Sequence, residues 1–417
     1  MSCISRTLLL VFAFLAPAVA GAQVAPASTS LRMTAEPVEE GDVHVPEGCA
    51  RVQGSAAPLL TKEPATPSFL PVQLEVRTPV EPVVFPSAGR SYAIYELHLR
   101  NLSGEALELQ GIEVVDVDPG APRPVATFGA GRLPALFFPR GHGMSEDEAD
   151  ASRRLENGQG TVAYLCLAFD SSVVVPARLR HRVVLQEGAA MGPAIATHHD
   201  GLRTFGPPVA GPDWLAAGGP GNASHHRVGL LVIGGHARIS RRHAIDWRQI
   251  RDGANYAGDA LDVRAYHAYG EVVYAVADGT VTSASAGFPD NIPRTSKGFE
   301  TALPLTMENV AGNTVTLDVG DRQFALYAHL APGSVLVKAG DRVRRGQALG
   351  RIGNSGDSRE PHLHFEVSDS PHLLAGEGMP YLIDRYELRS ADGRVEVRNN
   401  ELPVQEMRVD FRTADAL

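Results

Sequence analysis

Lysine is nearly missing from this sequence, occurring only at Lys62, Lys297 and Lys338. With a formal net charge of -10, that scarcity argues against a general nucleic-acid binder, which needs a basic face to displace phosphate counterions. The arginine clusters Arg238/Arg241/Arg242 and Arg342/Arg344/Arg345 are read as solvated strand edges and turns. Residues 338–353 have the strand–turn pattern of a biotinyl or lipoyl carrier, but such a module needs a modified lysine on a hairpin. Cysteine is also scarce, with three in all. Cys3 precedes a leader-like apolar run, which leaves Cys49 and Cys166, too far apart to suggest a structural zinc site. In an oxidising compartment these two either pair or stand as separate thiols, and sequence alone leaves both open. Aromatic residues make up only 6%, against 42 glycines and 30 prolines. Long helical periodicity is hard to find after residue 70. That combination excludes a helical bundle and predicts many short strands joined by turns. Long apolar runs are missing too. The run over residues 8–16 is too short to cross a bilayer. With Arg6 before it and Ala18-Val19-Ala20 after it, residues 1–20 read as an export signal. The expected location is the periplasm or the extracellular space, without stable membrane insertion.

A chain of 417 residues exceeds one ordinary core, so two domains are expected. Residues 21–68 are rich in Pro, Ala, Ser, Thr and Glu without periodicity and read as a flexible linker. Residues 69–190 alternate as strands. In Tyr95-Glu96-Leu97-His98-Leu99-Arg100, the side chains of Tyr95, Leu97 and Leu99 fall on one face and those of Glu96, His98 and Arg100 on the other. This spacing suggests an immunoglobulin-like β-sandwich. A second domain over residues 206–385 is predicted to be all-β as well, followed by a C-terminal extension over 386–417. Hairpins are expected over 272–281, turning at Asp278-Gly279, and between 313–319 and 323–330.

The strongest chemical signal is Pro361-His362-Leu363-His364-Phe365-Glu366-Val367. Strand alternation puts His362 and His364 on one face and Leu363 and Phe365 on the other. Two imidazoles so placed suit a zinc ligand beside a proton-transfer group. An HxH triplet alone is weak; its context strengthens it. Tyr327-Ala328-His329-Leu330 ends a strand on which Tyr327 and His329 are expected to share a face. Asp246 lies inside the apolar segment Ala244-Ile245-Asp246-Trp247, where a carboxylate needs a cation or several donors. Zinc would supply that charge, as would a nearby arginine.

Together with Tyr269-Gly270, Gly312-Asn313, Lys338 to Val343, Gly346-Gln347 and Gly353-Asn354-Ser355-Gly356, these segments resemble the lysostaphin-type (LytM-like) zinc metallopeptidases over about residues 206–385. The resemblance implies a LytM-like antiparallel β-sheet domain, a Zn2+ cofactor and a hydrolase that cleaves peptide bonds with a zinc-activated water. Peptidoglycan stem or cross-bridge peptides, or another peptide, are the implied substrates. It assigns Asp246 and His364 to the metal and sets His329 and His362 beside the water. The family's first motif, H-x-x-x-D, is broken here because Arg242 stands four residues before Asp246. Some relatives have a His-Arg pair ahead of an Ala-Ile-Asp strand, which points to His226 as the third ligand, with His225 and His243 as the other candidates. The missing histidine also keeps open a catalytically inactive LytM-like regulator or cell-wall binding protein. Residues 283–308 form a long insertion that either walls a groove or is a loose surface loop.

Overall fold

The computed structural model describes residues 45–54, 56–60, 71–118, 123–137, 151–293 and 300–412. The export signal expected over 1–20 lies outside them, as does most of the linker. The chain divides into two compact units, 1–42 and 43–417, and the described residues all belong to the second.

Strands account for 45% of the described residues and helices for 4%, so the all-β expectation holds. The N-terminal part forms two five-stranded sheets. One runs in the order Ala50–Val52, Gly160–Phe169, Arg90–Asn101, Leu74–Arg77, with Phe85–Ser87 paired to Arg90–Asn101. The other runs Gly188–Ala196, Arg178–Leu185, Leu107–Asp116, Arg123–Gly129, with Arg154–Leu155 beside Leu107–Asp116. Both contribute to one core, in which Tyr95, Leu97 and Leu99 meet Ile112, Val114 and Val183. The predicted face of the strand Arg90–Asn101 is therefore the buried one. Its other face is buried only as far as Glu96, with His98 half-buried and Arg100 exposed. Tyr92 and Ile94 join the core of the C-terminal part, and Glu96 is only 3% exposed.

Part of the expected linker is ordered. Ala50–Val52 pairs in parallel with Gly160–Phe169, and Cys49 and Cys166 form a disulfide. The covalent tie removes the entropic obstacle that composition alone had suggested.

Among the described residues the C-terminal part holds an eleven-stranded sheet and two two-stranded ones. Its centre runs Trp214–Ala217, Ile245–Gln249, Leu363–Ser368, Phe324–Leu330, Asn313–Asp318, all neighbours antiparallel. The second predicted hairpin is present as Asn313–Asp318 with Phe324–Leu330. The first is not. Val272–Tyr274 pairs with Ala348–Arg351, while Gly279–Ser285 pairs with Asn313–Asp318 and Arg342–Val343. A short-range turn signal was overridden there by partners 29 to 79 residues away, which bury both strands in one core. Strands beyond residue 385 belong to the same sheet. Leu382–Arg389 pairs with Arg408–Asp410, which in turn pairs with Trp214–Ala217.

Candidate metal centre

Register places the central histidines. Ile245 pairs with Phe365, Asp246 with His364 and Trp247 with Leu363. On the other side of the same strand, Tyr327 pairs with Phe365 and Ala328 with His364. Directly paired residues share a face, so Asp246, His364 and Ala328 lie on one side of the sheet and Ile245, Phe365 and Tyr327 on the other. Leu363 and Phe365 are fully buried in the core, each worth about 1.5–3 kcal/mol, and a one-residue slip would lose both. Apolar burial on one face thus fixes the chemistry on the opposite face.

By this parity His329 should follow Tyr327 into the core, as the sequence suggested. It does not. His329 has φ +64°, a left-handed conformation costing a non-glycine residue about 1–2 kcal/mol. The twist brings its ring to 5.0 Å from that of His362 and 5.9 Å from that of His364, while Tyr327 stays in the core beside Phe365. Three hydrogen bonds hold the turn. His329 N donates to Ala311 O at 3.0 Å, Gly353 N donates to His329 O at 3.0 Å, and His329 Nδ1 donates to Ser355 O at 2.8 Å. The Gly353-Asn354-Ser355-Gly356 motif is therefore the support of His329. Its close packing requires glycine. A Cβ on Gly356 (φ +76°) would stand 2.3 Å from Gly312 N, and one on Gly312 (φ +64°) would stand 2.4 Å from Ser355 Oγ. The insertion is tied in at the same place, since Asn291 donates to Gly356 O at 2.7 Å and Ser358 O at 2.9 Å.

Asp246 is the hub. His364 Nδ1 lies 2.9 Å from its Oδ1, His226 Nε2 and His362 Nε2 each lie 3.3 Å from the same oxygen, and His225 Nε2 lies 3.6 Å from Oδ2. Burial opposes its ionisation, but the imidazoles of His226 and His362 prevail and hold its pKa well below the usual carboxylate range. Burial lowers the pKa values of His226 and His329 from that of free imidazole, and Asp246 opposes the shift in both. His364 goes the other way. Burial lowers its pKa, but Asp246 on one nitrogen and Glu366 on the other, at 3.1 Å from Nε2, outweigh burial and raise it to about 9. The pocket thus calls for positive charge next to Asp246.

The tautomers follow from the partners, because a backbone carbonyl can only accept. His226 Nδ1 donates to Gly218 O at 2.8 Å and His362 Nδ1 to Glu360 O at 2.7 Å, leaving both Nε2 atoms with free lone pairs. Glu360 is itself anchored by Arg248 and by Asn255, the latter at 2.7 Å. The donor atoms of His225, His226 and Asp246 all lie within 4.8 Å of one another. Ligand atoms around a tetrahedral zinc ion bound at about 2.0–2.1 Å sit ~3.3 Å apart, which matches the His226–Asp246 separation. Nitrogen and carboxylate donors of this kind suit zinc.

The sequence candidates separate clearly in space. His226, Asp246, His329, His362 and His364 come together. His225 is beside them, with its side chain 62% exposed. His243 is elsewhere, donating to Gly378 O at 3.2 Å and packing edge-on against Phe85. Arg242, at the position of the missing histidine, is buried against Glu96 and Glu377. Reading from sequence overlooked Glu366, although alternation from His362 and His364 places it on their face.

Residues 259–374 match the family model of peptidase family M23. Among curated relatives, the peptidoglycan DD-endopeptidase ShyA of Vibrio cholerae is 44% identical over 57 residues, 14% of this chain and 13% of that protein. The cell division protein DipM of Caulobacter vibrioides is 30% identical over 119 residues, 28% of this chain and 16% of that protein. This chain therefore spans well under a fifth of either relative's length. Among solved structures, the catalytic domain of the antimicrobial peptidase lysostaphin from Staphylococcus simulans is 26% identical, with 28% of this chain and 77% of that one covered and a TM-score of 0.17. The matched residues include His329, His362 and His364, whereas His226 and Asp246 precede them. Within the C-terminal half, the match to peptidase family M23 covers residues 259–374.

Proposed function

We propose that the protein is a zinc metalloendopeptidase acting on peptidoglycan stem or cross-bridge peptides. The convergence of His226, His362 and His364 on the buried carboxylate of Asp246 carries this reading. His226 through Nε2, Asp246 through its carboxylate and His364 through Nδ1 would hold the metal. Glu366 on the far nitrogen of His364 and Gly218 O on that of His226 fix the two rings, as outer partners of metal histidines do. When bound, zinc supplies a Lewis acid that lowers the pKa of water towards about 7 and polarises a carbonyl.

His329 and His362 do the proton work. Each has Nδ1–H committed to a backbone carbonyl; Nε2 of His362 lies 3.3 Å from Asp246 Oδ1. A neutral imidazole so bonded takes a proton at Nε2 and has none there to give. One of them takes it from the attacking water as the new C–O bond forms, and the imidazolium produced then stabilises the oxyanion and returns the proton to the leaving amine nitrogen.

The peptidoglycan substrate draws on ShyA, whose name states that class, and on the expected export signal. Among the described residues no helix is long and apolar enough to cross a membrane. The division into a first domain over 69–190 and a second from 206, which takes in the strands beyond 385, belongs to the same proposal, with the first domain positioning the second. An inactive regulator is the less favoured reading, since a site that has lost its function has no need of a full set of donors. The test is zinc content of the purified chain alongside release of soluble fragments from purified peptidoglycan. One zinc per chain and release abolished by chelation is the expected result; a chain that neither contains nor takes up zinc would overturn the assignment.

A further inference from the structure

His226 sits on the segment between the strands Trp214–Ala217 and Leu231–Ile233, and the next residue, Arg227, is fully buried. Among the described residues, the hydrogen-bond partners of its guanidinium lie in the N-terminal part. It donates to the Glu96 carboxylate, to Tyr95 O at 2.6 Å and to Leu165 O at 3.3 Å, and it lies over the Tyr164 ring with 4.8 Å to the centroid. All four partners belong to the neighbouring strands Arg90–Asn101 and Gly160–Phe169 of the N-terminal part. Asn222, four residues before His226, donates to Tyr164 O at 2.8 Å. Glu96 is shared. Its second oxygen takes Arg242 at 2.7 Å, and Arg242 also pairs with Glu377 at 2.9 Å. Two buried cations and two carboxylates balance in charge.

We propose that Glu96 is a positioning residue of the metal centre, acting through Arg227 to fix His226 beside Asp246, so that the N-terminal sheet builds part of the site. This rests on His226 being a zinc ligand. The ladder that holds Asp246 begins only at Ile245. Here the histidine comes from a segment 20 residues earlier that crosses no ladder at His226, and an arginine clamp takes over the ladder's task. Buried, multiply bonded guanidinium groups set geometry well because their donors form a rigid fork.

The test uses the full chain and measures zinc affinity by competition with a chromophoric chelator, the visible spectrum of the cobalt-substituted protein, and thermal melting. Glu96→Gln keeps the side-chain volume, and Arg227→Lys keeps the charge but loses the fork. Each is expected to weaken zinc binding about 10–100-fold and to shift the cobalt bands. Glu113→Gln, which breaks the buried Glu113–Arg182 pair at 2.9 Å elsewhere in the N-terminal part, is the control. It should lower the melting temperature while leaving zinc affinity within about twofold, as expected for a distant site. Unchanged affinity in a Glu96→Gln chain that still melts cooperatively overturns the proposal, and so does an equal loss in Glu113→Gln. Should Glu96→Gln fail to fold, Arg227→Lys decides by the same readouts. If His226→Ala binds zinc like the wild type, the ligand assignment itself fails, whatever the clamp variants show.

Discussion

Asp246 and His364 are direct partners in the antiparallel ladder between Ile245–Gln249 and Leu363–Ser368, and their side chains meet at 2.9 Å. Sheet register alone thus brings together a carboxylate and an imidazole 118 residues apart in sequence. His226 and His362 approach the same Asp246 oxygen from outside this pair.

The proposed roles divide the HxH pair, although both rings reach the same Asp246 oxygen. His364→Ala is expected to abolish zinc binding, whereas His362→Ala should retain about one zinc and lose turnover by roughly 10²–10⁴, the usual contribution of a general base. Metal analysis and fragment release on both variants check this. Equal zinc loss in both would show that the roles are wrongly divided.

The three candidates for the remaining ligand should behave differently. His226→Ala is expected to lose zinc. His243→Ala should keep it while melting lower, because that ring packs against Phe85 and bonds to Gly378 O. His225→Ala should keep it with little change in melting, as an exposed side chain does. Zinc retained in full by His226→Ala would move the ligand to His225.

Gly356→Ala tests the support of His329. A methyl group there would meet Gly312 N and displace Ser355, whose carbonyl holds His329 Nδ1. Zinc content should stay near one per chain while turnover falls at least tenfold, about 1.4 kcal/mol in the barrier. Wild-type turnover would show that the left-handed turn at His329 is not needed.

His181 gives a pH prediction away from the metal. It is buried in the N-terminal core against Tyr95 OH at 2.8 Å, and burial lowers its pKa to about 3. The unfolded chain binds the proton near pH 6.5, so between about 6.5 and 3 the unfolded state carries more protons. Stability attributable to this residue is therefore full above pH 6.5 and falls on acidification by up to ~1.4 kcal/mol per unit. Denaturant titrations at pH 7 and 5 should show a smaller pH effect in His181→Gln than in the wild type; identical slopes would contradict it.

Reduction of the Cys49–Cys166 bond, which closes a loop of 117 residues, should destabilise the fold by about 2–5 kcal/mol. Melting with and without reductant measures it. An unchanged melting temperature after confirmed thiol release would show that the bond contributes nothing.

Much of the site was legible because strand alternation is a local property. His362-Leu363-His364 and Ile245-Asp246-Trp247 each declare an apolar face and a chemical face, and both do what their pattern says. Glu366 was legible by the same rule. His329 was named through the resemblance, but its strand pattern misplaced it on the face of Tyr327, because its conformation is set by Ala311, Gly353 and Ser355 and not by the alternation of its own strand.

Sequence by itself determined the all-β class, the disposition of His362 and His364, and the setting of Asp246 in an apolar strand, since each follows from which side chains avoid water. Only the tertiary structure decided which histidine stands opposite Asp246, that His243 turns away, that Cys49 meets Cys166, and that Arg242 serves an ion cluster with Glu96. Those outcomes depend on long-range register and on buried charges finding partners from another part of the chain, and neither is encoded in a local pattern.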